Sequence, residues 1–196
     1  MPSSRKKTLD FGCGPGFFLD FLASKNVEAE GAEIALTLNG AACFSPIFKK
    51  KIYDSSLIPI SKLQSGEYGR IYLMEILEHL NDKTLVSVLE ECRRLADPIN
   101  GQIIVTTPNE ERLEDSTLTC PFCSNAFHRW QHVRRFDQKS LSLLMERHGW
   151  RTVCCEALNW EKPARTLRYY LRKILCLEEK KDTKPHLFYA GCVRIP

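Results

Sequence analysis

Three observations predict an α/β fold built on a mostly parallel sheet with helices on both faces. A short apolar strand, Lys7 to Phe11, runs directly into glycines at alternate positions and then into residues of helical period. Further apolar runs alternate with amphipathic segments down the chain, the pattern that gives parallel strands joined by right-handed helical crossovers. The 196 residues, 43% of them hydrophobic, suffice for one α/β domain with a substantial core and fall short of two ordinary ones. A single domain over residues 1–196 is expected.

Each element follows from local pattern. Phe17, Phe18, Phe21 and Leu22 recur at helical spacing, on a helix that ends near Asn26. Val27 to Ile34 reads as a second strand and ends in Gly31-Ala-Glu33. From Ala35 to Gly66 the strand signal is confined to Phe48 to Tyr53, with Asp54 just beyond it. Tyr68 to Leu73 is the fourth strand, followed by Met74-Glu75-Ile76-Leu77-Glu78-His79-Leu80. Asn81 or Asp82 then caps a helix whose Leu85, Val88, Leu89, Cys92 and Leu95 share one face, and which stops before Pro98. A turn at Asn100-Gly101 leads into a β-branched strand, Gln102 to Thr106, ended by Thr107-Pro108-Asn109.

A polar Cys/His loop over residues 119–135 precedes a helix from Phe136 to His148, capped by Asp137 and closed by Gly149. Trp150 to Leu158 is the sixth strand. Pro163 opens an inserted basic amphipathic helix over residues 163–177, read as a cover over the sheet or as a face for an anionic lipid or acceptor. Glu178 to Lys184 is a solvated loop, and Leu187 to Ile195 is the last strand.

The glycine turn carries the chemistry. Gly12, Gly14 and Gly16 tolerate positive φ and leave room for a nucleoside against the main chain. A dinucleotide fingerprint, Gly-x-Gly-x-x-Gly, would seat a pyrophosphate on a helix N-terminus. Here the third glycine comes one position early, and Asp10 would repel a pyrophosphate. A carboxylate there suits a cationic ligand instead. The plain alternative is a tight strand-to-helix connection with no ligand. In a Rossmann-like arrangement an acid about twenty residues past the turn accepts both ribose hydroxyls, and Glu33 holds that position.

The run Asp10-x-Gly12-x-Gly14-x-Gly16 resembles motif I of the class I S-adenosylmethionine-dependent methyltransferases. With Glu33, the Glu75-Ile-Leu-Glu78-His79-Leu run and Thr107-Pro108-Asn109 in order, the resemblance covers roughly residues 7 to 160. More narrowly, the Glu75 to Leu80 run is similar to the signature of the ubiquinone-biosynthesis O-methyltransferases and of bacterial relatives acting on small molecules and glycans. The resemblance implies a Rossmann-like class I methyltransferase fold with S-adenosylmethionine as cofactor. It places Asp10, Gly12, Gly14 and Gly16 at the methionine end, Glu33 on the ribose and Asp54 near the adenine. The implied acceptor is a small-molecule, lipid-linked or saccharide hydroxyl. Two departures stand out: Tyr68-Gly69 replaces the usual Phe-Asp pair, and only nine residues precede Asp10, so the N-terminal helices that often cover the pocket are expected to be missing.

Methyl transfer from a sulfonium is an in-line displacement, so the protein must align the partners and take the proton of a hydroxyl acceptor. His79 and His132 are the candidate general bases, imidazole being the side chain that titrates near neutrality. Glu75, Glu78, His79 and His132 also form an O/N set fit for Mg²⁺ or a similar ion, which would lower a hydroxyl pKa. The small-RNA 3′-terminal 2′-O-methyltransferases resemble this chain in that set. An alternative set, Cys120, Cys123, His128 and His132, has knuckle-like spacing for tetrahedral zinc, or else is two thiols bracing a turn. His132 does not easily serve both.

A net charge of +4 is a mild excess of base, compatible with an anionic acceptor or a peripheral membrane contact and too small to advertise a nucleic-acid partner. Nine scattered cysteines, with no apolar run after Arg5, Lys6 and Lys7, point to a cytoplasmic setting. Two other functions remain open at this level: a catalytically silent Rossmann-like module that binds cofactor or partner, and a metal-dependent RNA 3′-terminal 2′-O-methyltransferase.

Overall fold

The computed structural model describes residues 6–34, 52–158 and 186–193. The stretch from Phe48 to Lys51, the helix expected over residues 163–177 and the Glu178 to Lys184 loop lie outside them. The elements are β1 (Lys7–Phe11), α1 (Phe17–Ser24), β2 (Ala29–Glu33), β3 (Ile52–Asp54), β4 (Tyr68–Met74), α2 (Asp82–Leu95) and β5 (Gln102–Pro108). They continue with β6 (Thr117–Thr119), β7 (Ala126–His128), α3 (Gln138–Arg147), β8 (Trp150–Leu158) and β9 (His186–Val193).

Seven strands form one sheet in the order β3-β2-β1-β4-β5-β9-β8. β1 to β5 are mutually parallel, whereas β9 runs antiparallel to both β5 and β8. Parallel strands buried on both faces read as continuous apolar runs, and Ile71 and Leu73 of β4 are fully buried in the main core. Side chains alternate across a strand. Leu85, Val88, Leu89, Cys92 and Leu95 of α2 pack into the cluster that holds Ile71 and Leu73. Tyr72, on the other face, meets Phe18 of α1 edge-on with ring centroids 4.9 Å apart. Helices therefore cover both faces, and the buried α2 residues contribute about 1.5–3 kcal/mol each.

The helix ends are built as expected. Asn81 Oδ1 accepts the Thr84 N–H at 3.0 Å, and Asp137 with Ser140 forms a reciprocal capping box at the start of α3. The α1 face differs from the periodicity reading. Leu19 and Leu22 are the buried residues, while Phe17 and Phe21 are 77% and 53% exposed. An eight-residue helix presents only two turns to the sheet, and its register is set by the glycine turn before it rather than by its largest side chains.

The second difference is the 119–135 segment, expected as a loop. Thr117↔His128, Leu118↔Phe127 and Thr119↔Ala126 pair as an antiparallel hairpin, β6–β7, separate from the main sheet. Three-residue strands carry too little alternation to be legible in sequence. The fourth and fifth strands run one and two residues further than expected, to Met74 and Pro108, and β2 begins at Ala29 rather than Val27.

Candidate active site

All candidate chemistry gathers at the C-terminal ends of β1, β2, β4 and β5, where open α/β sheets bind ligands. β1 leads into a turn in which Gly12, Gly14 and Gly16 all have positive φ, at 83°, 50° and 91°. The Gly12 and Cys13 N–H groups donate to Ala32 O at 2.7 and 3.2 Å, binding the turn to β2. A Cβ on Gly12 would lie 2.3 Å from Ile76 Cδ1, and its φ of 83° strains any other residue, so the position favours glycine. At Gly14 a Cβ would meet nothing within 4 Å, which leaves that stretch of backbone open to a ligand.

Two carboxylates face this turn. Glu33 ends β2 and accepts the Gly14 N–H on Oε2 at 2.8 Å. Asp10 is 3% exposed, and burial, reinforced by the Glu33 charge, pushes its carboxyl up to about 7. Both effects penalise a second negative charge at this point, so a cationic ligand is the kind that would relieve it. Asp54 ends β3, where its carboxylate accepts the Ser56 N–H at 2.8 Å, which holds its pKa below the usual range, and the neighbouring Ser55 lines a cavity.

That cavity, about 290 Å³, begins at Gly12 and Glu33, passes Ser55 and Ile58, and ends at Glu75 and His79. It joins the glycine turn to the residues that follow β4. Glu75 takes a left-handed conformation (φ 55°) and anchors its N–H on Thr106 O at 3.0 Å. Its carboxylate meets His186 of β9, Nε2 to Oε2 3.5 Å. A 3₁₀ turn over Leu77–His79 then drives Glu78 inward, 1% exposed, and leaves His79 exposed towards the cavity.

Glu78 Oε2 accepts the Thr107 hydroxyl at 3.0 Å, while Oε1 is buried without a hydrogen-bond partner. Burial raises its pKa to about 7, opposed by its own backbone and by Thr107 and reinforced by the Glu75 charge. Burial, followed by the neighbouring His132, lowers the pKa of His79. The His79 and His132 rings meet edge-to-face at 4.7 Å.

His132 is carried to this point by the segment after β7, which the Val133 N–H ties to Glu78 O at 2.8 Å. Its Nδ1 lies 2.5 Å from Glu111 Oε2. An ionised carboxylate can only accept, so Nδ1 carries a proton, and in the neutral ring Nε2 keeps its lone pair. His128 stacks on His132 at 4.8 Å, and its Nδ1 accepts the N–H groups of His132 (3.1 Å) and Trp130 (3.3 Å). The neutral His128 ring therefore holds its proton on Nε2, which is buried without a hydrogen-bond partner 3.8 Å from Glu111 Oε1. Glu111 thus hydrogen-bonds His132 and lies near His128 without bonding it.

Among the described residues, two groups have ligand atoms within 4.8 Å of one another: Glu78, His79 and His132, and Glu111, His128 and His132. The first brings together three of the four residues proposed for a divalent ion and leaves Glu75 with His186. Neither group contains Cys120 or Cys123, so the cysteine-histidine set does not assemble. The sequence reading missed Thr107, Glu111 and His186. Thr107 lies in the Thr107-Pro108-Asn109 run that the sequence singles out, whereas neither Glu111 nor His186 has a local signal.

Comparison with known proteins gives a consistent picture. The family described as "Methyltransferase domain" matches residues 2–155. The ubiquinone biosynthesis O-methyltransferase of Methylococcus capsulatus is 32% identical over 107 residues, covering 53% of this chain and 44% of that protein. The chain thus spans less than half the length of that relative. A SAM-dependent methyltransferase structure from Archaeoglobus fulgidus superposes with a TM-score of 0.61 at 17% identity, over 95% of this chain and 86% of that one. The Burkholderia thailandensis 1,6-didemethyltoxoflavin-N1-methyltransferase, solved with S-adenosylhomocysteine, gives 0.63 at 12% identity, over 96% and 71%. At these identities the structural likeness speaks to the fold, which is the Rossmann-like class I methyltransferase fold.

Proposed function

The chain belongs to the methyltransferase family, matched over residues 2–155, and from that premise we propose that it is an S-adenosylmethionine-dependent O-methyltransferase acting on a hydroxyl of a small-molecule, lipid-linked or saccharide acceptor. The observation that carries this reading is the continuity of one cavity from Gly12 and Glu33 to His79. Glycines whose Cβ would collide or whose backbone stands open, beside two carboxylates, fit a cationic nucleoside donor. When bound, S-adenosylmethionine supplies an electrophilic methyl group on a sulfonium.

Glu33 holds the ribose end, and the open backbone at Gly14 together with Asp10 holds the charged end. His79 faces the same cavity, and its lowered pKa leaves the ring neutral at pH 7, ready to take the acceptor's proton. His132, fixed in one tautomer by Glu111, backs His79 with a free Nε2. The unpartnered Oε1 of Glu78, with His79 and His132, also fits a divalent ion, whose contribution would be to lower the pKa of the acceptor hydroxyl.

Calorimetry with S-adenosylhomocysteine tests the reading. Binding in the micromolar range is expected, weakened at least tenfold by Glu33→Ala. Absence of binding by the wild-type protein would overturn it. Labelled methyl transfer into extracts fractionated as lipid, glycan, RNA and small molecules then identifies the acceptor class.

A further inference from the structure

His132 belongs to both clusters of ligating side chains, Glu78 with His79 and Glu111 with His128, and the ring nitrogens decide between them. His128 has no lone pair to give. Its Nδ1 accepts the N–H groups of His132 and Trp130, so in the neutral ring Nε2 holds the proton, buried with no hydrogen-bond partner. A ligating histidine donates from its other ring nitrogen, often to a carboxylate, whereas that nitrogen of His128 accepts. The Glu111 cluster is therefore not a metal site in its own right. His132 has the arrangement that His128 lacks: Nδ1 meets the Glu111 carboxylate, and Nε2 of the neutral ring keeps its lone pair.

Both partners of this contact are held in place. Glu110, left-handed at φ 48°, donates its N–H to Phe136 O at 2.7 Å, and Asn109 bridges Phe136, so the segment that carries Glu111 is clamped to the one that carries His132. On the other side, His128 Nδ1 takes the His132 N–H at 3.1 Å and the two rings stack. The β6–β7 hairpin, which ends in His128, thereby has a task at the site. Charge gives the arrangement its purpose. Glu78 and Glu111 are 1% and 7% exposed, and among the described residues no lysine or arginine pairs with either. Buried carboxylates are paired or coordinate metals, and Oε1 of Glu78 has no partner at all.

We propose that Glu111 is the positioning residue of a divalent-ion centre formed by Glu78, His79 and His132. It orients the His132 ring, leaves Nε2 as the ligating atom, and strengthens that nitrogen as a donor through the contact at Nδ1. The proposal rests on the reading of those three residues as an ion site. Glu111 acts through His132 and is not itself a ligand.

The test titrates the full chain, stripped of metal, with Mn²⁺, an ion suited to carboxylate rather than thiol ligands. The EPR signal of free Mn²⁺ gives the affinity, and pulsed EPR counts the histidine nitrogens on the bound ion. Wild type should show two. Glu111→Ala should weaken binding by about 10–100-fold and leave one, while Glu111→Gln, whose amide oxygen still accepts from Nδ1, should keep two and lose less affinity. S-adenosylhomocysteine binding by Glu111→Ala should equal that of wild type, which certifies the fold. Wild-type affinity and two histidine nitrogens in Glu111→Ala would overturn the proposal while the ion site stands. No uptake by wild type at millimolar Mn²⁺, or uptake unchanged in Glu78→Gln, would remove the ion site and this proposal with it, and S-adenosylhomocysteine binding reports separately on the methyltransferase reading.

Discussion

Glu78 spends one oxygen on Thr107 and buries the other without a partner, an arrangement that costs stability. Its carboxyl, raised from 4.5 to about 7, binds a proton in the folded protein at pH values where the unfolded chain has released it. The stabilising contribution is complete below pH 4.5 and is lost as pH rises through about 7. Asp10, raised from 3.8 to about 7, acts with the same sign. Ligand-free protein should therefore melt at progressively lower temperature as pH rises through this window, and Glu78→Gln should flatten that slope. At pH 8 the variant should melt higher, by about 2–4 °C for each kcal/mol regained, while turnover falls about 10²-fold or more. His79→Ala should lower turnover by about 10²–10⁴-fold, and the acid limb of the wild-type pH profile should fall below 6.5, since burial and His132 favour the neutral ring. The clustering of Glu78, His79 and His132, and the approach of Glu33 to the glycine turn beside Asp10, could be anticipated from motif spacing and the family resemblance. Glu111 could not, because only the docking of the segment after β7 decides which carboxylate meets His132.

The elements divide by how local their causes are. The buried face of α2 was read correctly because fourteen residues of helical period leave little choice of face, and of the two expected caps, Asn81 and Asp82, it is Asn81 that caps. Its burial makes a clear prediction: Leu89→Ala should cost about 2–5 kcal/mol and Asn81→Ala about 1 kcal/mol, both measured by urea unfolding. The glycine turn is the complementary case. Gly12→Ala should damage both stability and S-adenosylhomocysteine affinity, because the added methyl would strike Ile76 and the residue would still need φ 83°. The buried face of α1 and the pairing of the β6–β7 hairpin were not legible for one reason: each element is short, and its neighbours rather than its own pattern fix what it buries.

For the molecule as a whole, alternation of strands and helices foretold the parallel half of the sheet, β3-β2-β1-β4-β5. It did not foretell that β9 enters between β5 and β8, a placement set by long-range pairing. The global consequence of the ligand reading is measurable without any acceptor. S-adenosylhomocysteine at 100 times its dissociation constant should stabilise the protein by about 2.7 kcal/mol, seen as a higher melting temperature that Glu33→Ala largely abolishes.

The insertion of β9 also sets an order of events during synthesis. β8 emerges from the ribosome well before the strand that joins it to β5, since β9 is the later of the two in sequence and lies between them. Until β9 arrives, the edges of β5 and β8 that it will pair stay open, and open edges recruit other strands. A nascent chain stalled between the two exposes those edges to other strands, the condition chaperones guard against.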